Sequence, residues 1–160
     1  MTQAQSKQET AKILQLVSFE IGEEKFGVEI LCVKEIIRIL SITRVPGSPD
    51  FVEGVINLRG QVVPVVDLRR RLGIGRKEFD ATTRMIVVEL GGQQVGFIVD
   101  VVSQVLRIPA ETIEPPPQMV TGVDSEYIQG LTRVGDRLLM LLDLQRILSR
   151  AEQAAIRKAA

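Results

Sequence analysis

The sequence predicts an all-β protein: two similar five-stranded β-barrels from one internal duplication, with short helices and a C-terminal helix. Three observations predict it. The chain repeats itself at two offsets. Ten short apolar runs, five in each copy, are separated by turn signals. Sustained helical spacing is confined to the tail that starts at Asp143.

The repeat is clearest in Gly54–Gly73, which reads as strand, tight turn, strand and one short helix. A shift of 76 residues lays Gly130–Ser149 onto it, with Gly54/Gly130, Asp67/Asp143, Leu68/Leu144, Arg70/Arg146 and Leu72/Leu148 identical. A shift of 69 pairs Val17–Ile39 with Ile86–Ile108, where Glu20/Glu89, Gly22/Gly91, Gly27/Gly96, Val33/Val102, Arg38/Arg107 and Ile39/Ile108 coincide. The offsets differ because the connection Pro109–Gln129 is longer than Leu40–Glu53. Two copies of about 70 residues make a pair of related subdomains rather than a solenoid.

Taken in order, residues 1–14 read as a flexible N-terminus, rich in Gln and Thr over Met1–Ala11. Val17, Phe19 and Ile21 share one face of a first strand, Gly22–Lys25 is a four-residue hairpin loop, and Phe26, Val28 and Ile30 alternate on the return. Val33–Ile39 is the third strand. Leu40–Asp50, with Pro46, Gly47 and Pro49, is loop with room for a helical turn near Asp50. The hairpin Gly54–Val66 turns at Arg59-Gly60, where glycine can take positive φ. Pro64 lacks an N–H, so that side of its strand should meet an edge, a bulge or solvent. Asp67 caps a short helix that Gly73 stops. Copy two repeats this with Met85–Leu90, Gln94–Val99, Val101–Ile108, Tyr127–Val134 and Arg137–Leu142, and Pro115–Pro117 stiffens its long loop. Leu144, Ile147, Leu148, Ala151 and Ala155 then follow at helical spacing. The resulting boundaries are one folded unit over 15–150, with barrel one at about 15–75, barrel two at about 82–145, the two partly intertwined, and a C-terminal helix over 143–160.

Composition excludes several functions. The 160 residues carry 20 Lys plus Arg and 20 Asp plus Glu, so no global field recruits nucleic acid or an anionic membrane. Histidine is absent, which removes the usual proton shuttle near neutral pH and all imidazole metal ligands. No nucleophile elbow or phosphate-cradling loop occurs. The reading is of a protein that is not an enzyme, with no cofactor, no metal and no nucleic-acid partner. One cysteine, Cys32, excludes an internal disulfide and reads as a small buried hydrophobe, because its repeat partner is Val101. The polar N-terminus has no signal-peptide stretch, and no apolar run is long enough to span a membrane, so a cytoplasmic protein is expected.

The duplication itself separates fold from function. Residues shared by both copies, such as Gly27/Gly96, Gly54/Gly130 and the helix-capping Asp67/Asp143, are asked for by the fold. Arg59 is different: its partner is Gly135, so the turn does not need arginine, yet a five-donor cation sits at the hairpin tip. Glu35 is likewise charged in one copy only, opposite Gln104 in the other. The run Arg69–Arg71 reads as a solvated helix face.

The segments Phe26-Gly27-Val28, Val33-Lys34-Glu35-Ile36, Asn57-Leu58-Arg59-Gly60 and Val63-Pro64-Val65-Val66-Asp67-Leu68 closely resemble the CheW family of bacterial chemotaxis coupling proteins. Copy two continues the match with Val99-Asp100, Val102–Leu106 and Tyr127–Leu131, so it covers about residues 15–150. The resemblance implies two five-stranded SH3-like barrels and an adaptor without catalysis. It implies two partners: the cytoplasmic tip of methyl-accepting chemoreceptors and the regulatory domain of a CheA-like chemotaxis histidine kinase. The chain would be recruited to receptor arrays at the inner membrane without touching the membrane directly. Motif by motif, receptor contacts fall on Val33, Glu35, Gly54, Arg59, Val102 and Val105, in a groove between the barrels. Kinase contacts fall on Ile42, Thr43 and Val62 of barrel one and on Glu114 and Met119 of barrel two.

Overall fold

The computed structural model describes residues 12–75, 77–116, 127–148, 152, 153 and 155. Ten strands follow in order: β1 (Ile13–Ile21), β2 (Glu24–Glu29), β3 (Val33–Arg38), β4 (Val52–Leu58), β5 (Gln61–Asp67), β6 (Arg84–Leu90), β7 (Gln93–Val99), β8 (Val101–Pro109), β9 (Ile128–Val134) and β10 (Arg137–Leu142). One short helix, α1 (Leu68–Arg71), follows β5. The first hairpin is tighter than expected. Glu24 and Lys25 already pair with Ile21 and Glu20, which leaves only Gly22-Glu23 as the turn. Gly22 takes φ +61, and a two-residue loop of that hand matches the twist of the strands it joins. Leu40–Asp50 is loop, and Asp50 begins a turn rather than a helix.

The strands form two five-stranded sheets, in orders β8-β1-β2-β10-β9 and β3-β6-β7-β5-β4. The sheets do not follow the boundaries 15–75 and 82–145. Hairpin β1–β2 leaves its own copy to pair with β8 and β10, and hairpin β6–β7 pairs with β3 and β5. Each copy therefore lends its first hairpin to the other. One barrel is the continuous stretch Val33–Val99. The other is split into β1–β2 and β8–β10, and the chain crosses between barrels at Ile30–Cys32 and at Asp100.

Register follows the duplication pair by pair. Phe19↔Phe26 repeats as Val88↔Val95, and Val17↔Val105 as Ile86↔Ile36. The bulges repeat too, beside Val33/Glu35 and at Ser18/Phe19, where β8 runs from Val102 to Gln104. The parallel ladders differ, and Pro64 explains why. β10 pairs with β2 from Leu139 onward, whereas β5 begins to pair with β7 only at Val65, one residue past the proline that has no N–H to give.

Both barrels close in the same way. Thr43 bridges to Val55 of β4, and Glu114 bridges to Leu131 of β9. Gly54 and Gly130 permit the approach. A Cβ on Gly54 would meet the Thr43 carbonyl oxygen and lie 2.7 Å from the Ile42 Cγ2, and one on Gly130 would lie 2.8 Å from the Glu114 oxygen. The duplicated glycine is thus a closure residue of each barrel.

Alternation within strands sends side chains into three cores. Ile56, Leu58, Val63, Val65, Met85, Val87 and Ile98 fill one barrel. Leu16, Leu139 and Leu141 fill the other. The opposite faces of the exchanged hairpins, including Val17, Phe19, Ile21, Ile86, Val88 and Phe97, meet in a third core shared by both barrels. β1 is therefore buried on both faces, with Leu16 and Phe19 each fully enclosed.

Two expectations change at the ends of the copies. Asp67 caps α1 by accepting the Arg69 N–H at 3.0 Å, and Asp143 accepts the Gln145 N–H at the same distance, so the duplicated cap is structural in both. After Asp143, however, residues 144–148 form turns rather than the start of a long helix, and Leu144, Ile147 and Leu148 dock into the shared core. Of the expected 143–160 helix, Glu152, Gln153 and Ala155 are the described helical residues. The basic run is not a solvated face. Arg69 pairs with Asp100, Arg70 with Glu53, and Arg71 reaches the Ile147 carbonyl (2.7 Å) and Glu152 (2.9 Å). Asp100 also accepts the Gly22 N–H at 2.8 Å, so Arg69 ties α1 to the crossing at Asp100 and to the β1–β2 turn. Cys32 is half-buried rather than buried, and its thiol pKa is pushed up by burial first and by Glu29 and Asp143 next.

Candidate functional site

The β4–β5 turn is built from Arg59 and Gly60, at φ +51 and +85. The Asn57 side-chain oxygen accepts the Gly60 N–H at 2.8 Å and shapes the turn locally. Arg59 is the sole non-glycine residue with positive φ among those described. A side chain in that region is sterically disfavoured, and such outliers gather at functional sites. The Arg59 guanidinium reaches across to β3 and pairs with Glu35. The hydrogen bond and negative charge of Glu35 raise the Arg59 pKa above its ordinary value. Arg59 remains 69% exposed and Glu35 30%, so the pair stands at the surface, open to competition from a partner.

The other copy places Gly135 and Gln104 at the positions of Arg59 and Glu35. Gly135 turns at φ +61, and Gln104 is held through its backbone, which accepts from and donates to the buried Ser18 hydroxyl. Val33 and Val102 begin matching runs on β3 and β8, half-buried against the shared core. Val105 is 53% exposed. It lies directly opposite Val17, a member of the shared core, so its side chain is on the inter-barrel face of its sheet. Sequence reasoning overlooked its counterpart Ile36, 38% exposed and opposite Ile86. The 69-residue offset that lays Ile36 on Val105 was the signal that could have found it. Leu31, 95% exposed on the turn between β2 and β3, was also overlooked. It lines a cleft of about 310 Å³ with Ile13, Leu14 and Ile30, and nothing in the alternation marks it.

Gly54 stands apart from Glu35 and Arg59. It is buried at the barrel closure, against Ile42 and Thr43. Those two residues belong to the second candidate surface. Ile42 is half-buried over the barrel interior, and Thr43 is exposed while its N–H and carbonyl each bond Val55 at 2.8 Å. Val62 is 59% exposed on β5. In the split barrel Glu114 takes the place of Thr43, and Leu138, 58% exposed, takes the place of Val62. Leu138 was another omission, recoverable from the 76-residue offset. Glu114 and Leu138 line an open cleft of about 400 Å³ with Leu131 and Arg133. Met119 lies outside the described residues.

Among the described residues no three His, Cys, Asp or Glu side chains cluster as metal ligands, and no helix is long and apolar enough to cross a membrane. The arrangement presents several surfaces: the exposed Glu35–Arg59 pair, the apolar residues Ile36 and Val105 on the inter-barrel sides of the sheets, and exposed Val62 and Leu138 at corresponding ends of the two barrels.

Comparison with known proteins accounts for such a molecule. The CheW-like domain family matches residues 15–152. The chain is 41% identical over 138 residues to the chemotaxis protein CheW of Klebsiella aerogenes, covering 86% of this chain and 83% of that protein. It is 32% identical over 142 residues to the chemotaxis protein CheW of Treponema pallidum, covering 86% and 84%. The crystal structure of the scaffolding protein TtCheW from Thermoanaerobacter tengcongensis superposes with a TM-score of 0.80 at 38% identity, covering 88% of this chain and 91% of that one. The family match spans both barrels, including the strands they exchange, and the chain belongs to the CheW family of chemotaxis scaffold proteins.

Proposed function

We propose that this scaffold couples the cytoplasmic tips of methyl-accepting chemoreceptors to the regulatory domain of a CheA-like histidine kinase, and that it catalyses no reaction itself. The receptor takes the inter-barrel face, with Val33, Ile36, Val102 and Val105 supplying apolar contact and the Glu35–Arg59 pair supplying polar recognition. The kinase takes the end of the continuous barrel, at Ile42, Thr43 and Val62. In the cell the protein is cytoplasmic and held at receptor arrays through these contacts. Binding two partners at separate surfaces lets the state of one alter the geometry of the other, and many copies in an array add avidity to modest single contacts.

The observation that carries this reading is Arg59: a strained, exposed arginine that the second copy of the fold does without. The experiment is a pair of pull-downs, one with a receptor cytoplasmic fragment and one with the kinase regulatory domain, each repeated with Arg59→Glu. Both partners should bind the wild-type chain, and the variant should lose the receptor fragment alone. Retention of both by the variant would sink the assignment of Arg59, and binding of neither by the wild type would sink the coupling function.

A further inference from the structure

We propose that Arg38 and Arg84 act together as a clamp for one carboxylate of the receptor's helical tip. This rests on the receptor reading above and deepens it. Arg38 ends β3, Arg84 begins β6, and the two stand directly opposite each other in the antiparallel ladder. Their Cβ atoms are therefore about 5 Å apart on one face of the sheet, where like charges repel. That face is the inter-barrel side. Ile36, two residues before Arg38, lies opposite Ile86 of the shared core, while the intervening Ile37 packs into the continuous barrel.

The fold does not ask for this juxtaposition. In the other sheet Arg107 stands at the place of Arg38, but the residue opposite it is Gln15, so a neutral neighbour serves there. Nor does a carboxylate of the chain neutralise the two cations. Neither arginine joins an ion pair among the described residues. Asp80, near Arg84 in sequence, is held by Thr82 and Lys77 instead. The Nη1 of Arg84 donates to the carbonyls of Ala81 (2.8 Å) and Thr83 (2.9 Å), which fixes the guanidinium and leaves Nη2 and Nε to donate elsewhere. Arg38 is exposed, with no hydrogen bond among the described residues. Two neighbouring guanidiniums with free donors match a single carboxylate, and its charge would offset their repulsion as it binds. Ile36 and Arg38 are about 7 Å apart along β3, close to the rise of one helical turn. A receptor helix laid along β3 would set an apolar residue on Ile36 and an Asp or Glu, one turn away, between the arginines.

The test measures binding of the full chain to a soluble chemoreceptor cytoplasmic fragment from the same organism, at low and at high salt. Arg38→Gln and Arg84→Gln should each weaken binding by about fivefold at low salt. The difference from the wild type should shrink at high salt, which screens exposed charges. Arg38→Gln breaks no contact among the described residues and removes one of two like charges, so it should melt at or above the wild-type temperature. Both variants should hold the kinase regulatory domain as the wild type does. Replacing the Asp and Glu residues of the receptor tip singly by Asn and Gln should find one whose loss abolishes the effect of both arginine substitutions. Unchanged binding by Arg38→Gln, or a tip with no acidic residue coupled to either arginine, would overturn the clamp and leave the receptor reading intact. Weaker binding by Arg38→Gln together with a melting temperature more than about 5 °C lower would overturn it too, returning that arginine to a structural role. No binding of the fragment by the wild type would overturn both.

Discussion

Arg59 and Gly135 each open a hairpin turn at positive φ with different side chains, and the cost of the arginine there can be measured. Replacing Arg59 by Gly removes a side chain from a left-handed position, so the melting temperature should hold or rise by up to about 3 °C. Binding of a receptor fragment should weaken. Calorimetry beside a binding titration checks both, and a fall of more than about 5 °C would return Arg59 to a structural role. The Arg69–Asp100 pair is the opposite case. Its side chains are only 14% and 11% exposed, and it joins three elements. Asp100→Ala leaves a largely buried guanidinium with the Gly75 carbonyl but no counter-charge, and should cost about 3 kcal/mol in urea unfolding. A third residue reports on pH. Asp80 accepts hydrogen bonds from the Thr82 hydroxyl and N–H, which, with Lys77 nearby, pull its carboxyl from 3.8 down to about 2. A carboxylate with a depressed pKa adds stability that is complete above its unfolded value and fades as pH falls through its folded value. That loss falls between about pH 4 and 2, and Thr82→Ala should return the Asp80 titration, followed by carbon NMR, towards 3.8.

Individual strands were legible because their chemistry is local. Arg137–Leu142 was expected as a strand and is β10 with the same bounds. The caps at Asp67 and Asp143 follow from aspartate's short acceptor, and the turns from glycine's access to positive φ. The β1–β2 loop was misjudged because Glu24 and Lys25 are poor strand formers that pairing to Glu20 and Ile21 overrides. The long C-terminal helix was overextended for a similar reason: Leu144, Ile147 and Leu148 have helical spacing, but core docking is satisfied by turns. Barrel closure belongs to this scale. Gly54→Ala and Gly130→Ala should each cost more than about 2 kcal/mol, because the added methyl meets backbone at both sites. Gly96→Ala, whose nearest side-chain atom would be 3.7 Å away, should cost less. If Gly54→Ala melts like the wild type yet loses the receptor, Gly54 is a contact residue after all and closure is not its reason.

At the scale of the molecule, the core shared by both barrels should make them unfold as one cooperative unit. The continuous barrel Val33–Val99 would expose Ile86, Val88, Val95, Phe97 and Val99 if the split barrel came away. Phe19→Ala, at a fully enclosed position of the split barrel, should cost about 3–5 kcal/mol. Hydrogen exchange should then accelerate equally at Leu139 and at Val65, one in each barrel. Faster exchange at Leu139 alone would show that the barrels unfold separately.

The sequence by itself determined the strand inventory, the duplication, the caps and the asymmetry of positions 35 and 59. Each rests on a period of two, a fixed offset or one residue's conformational freedom. Only the tertiary structure decided that the copies exchange hairpins, that Glu35 touches Arg59, and that Arg69, Arg70 and Arg71 are clamps rather than a solvated face. The physical reason is that alternation states which faces of a strand are apolar, not which strand covers them. β1 and β6 carry interchangeable apolar faces, and choosing between two equivalent neighbours is a property of the assembled cores.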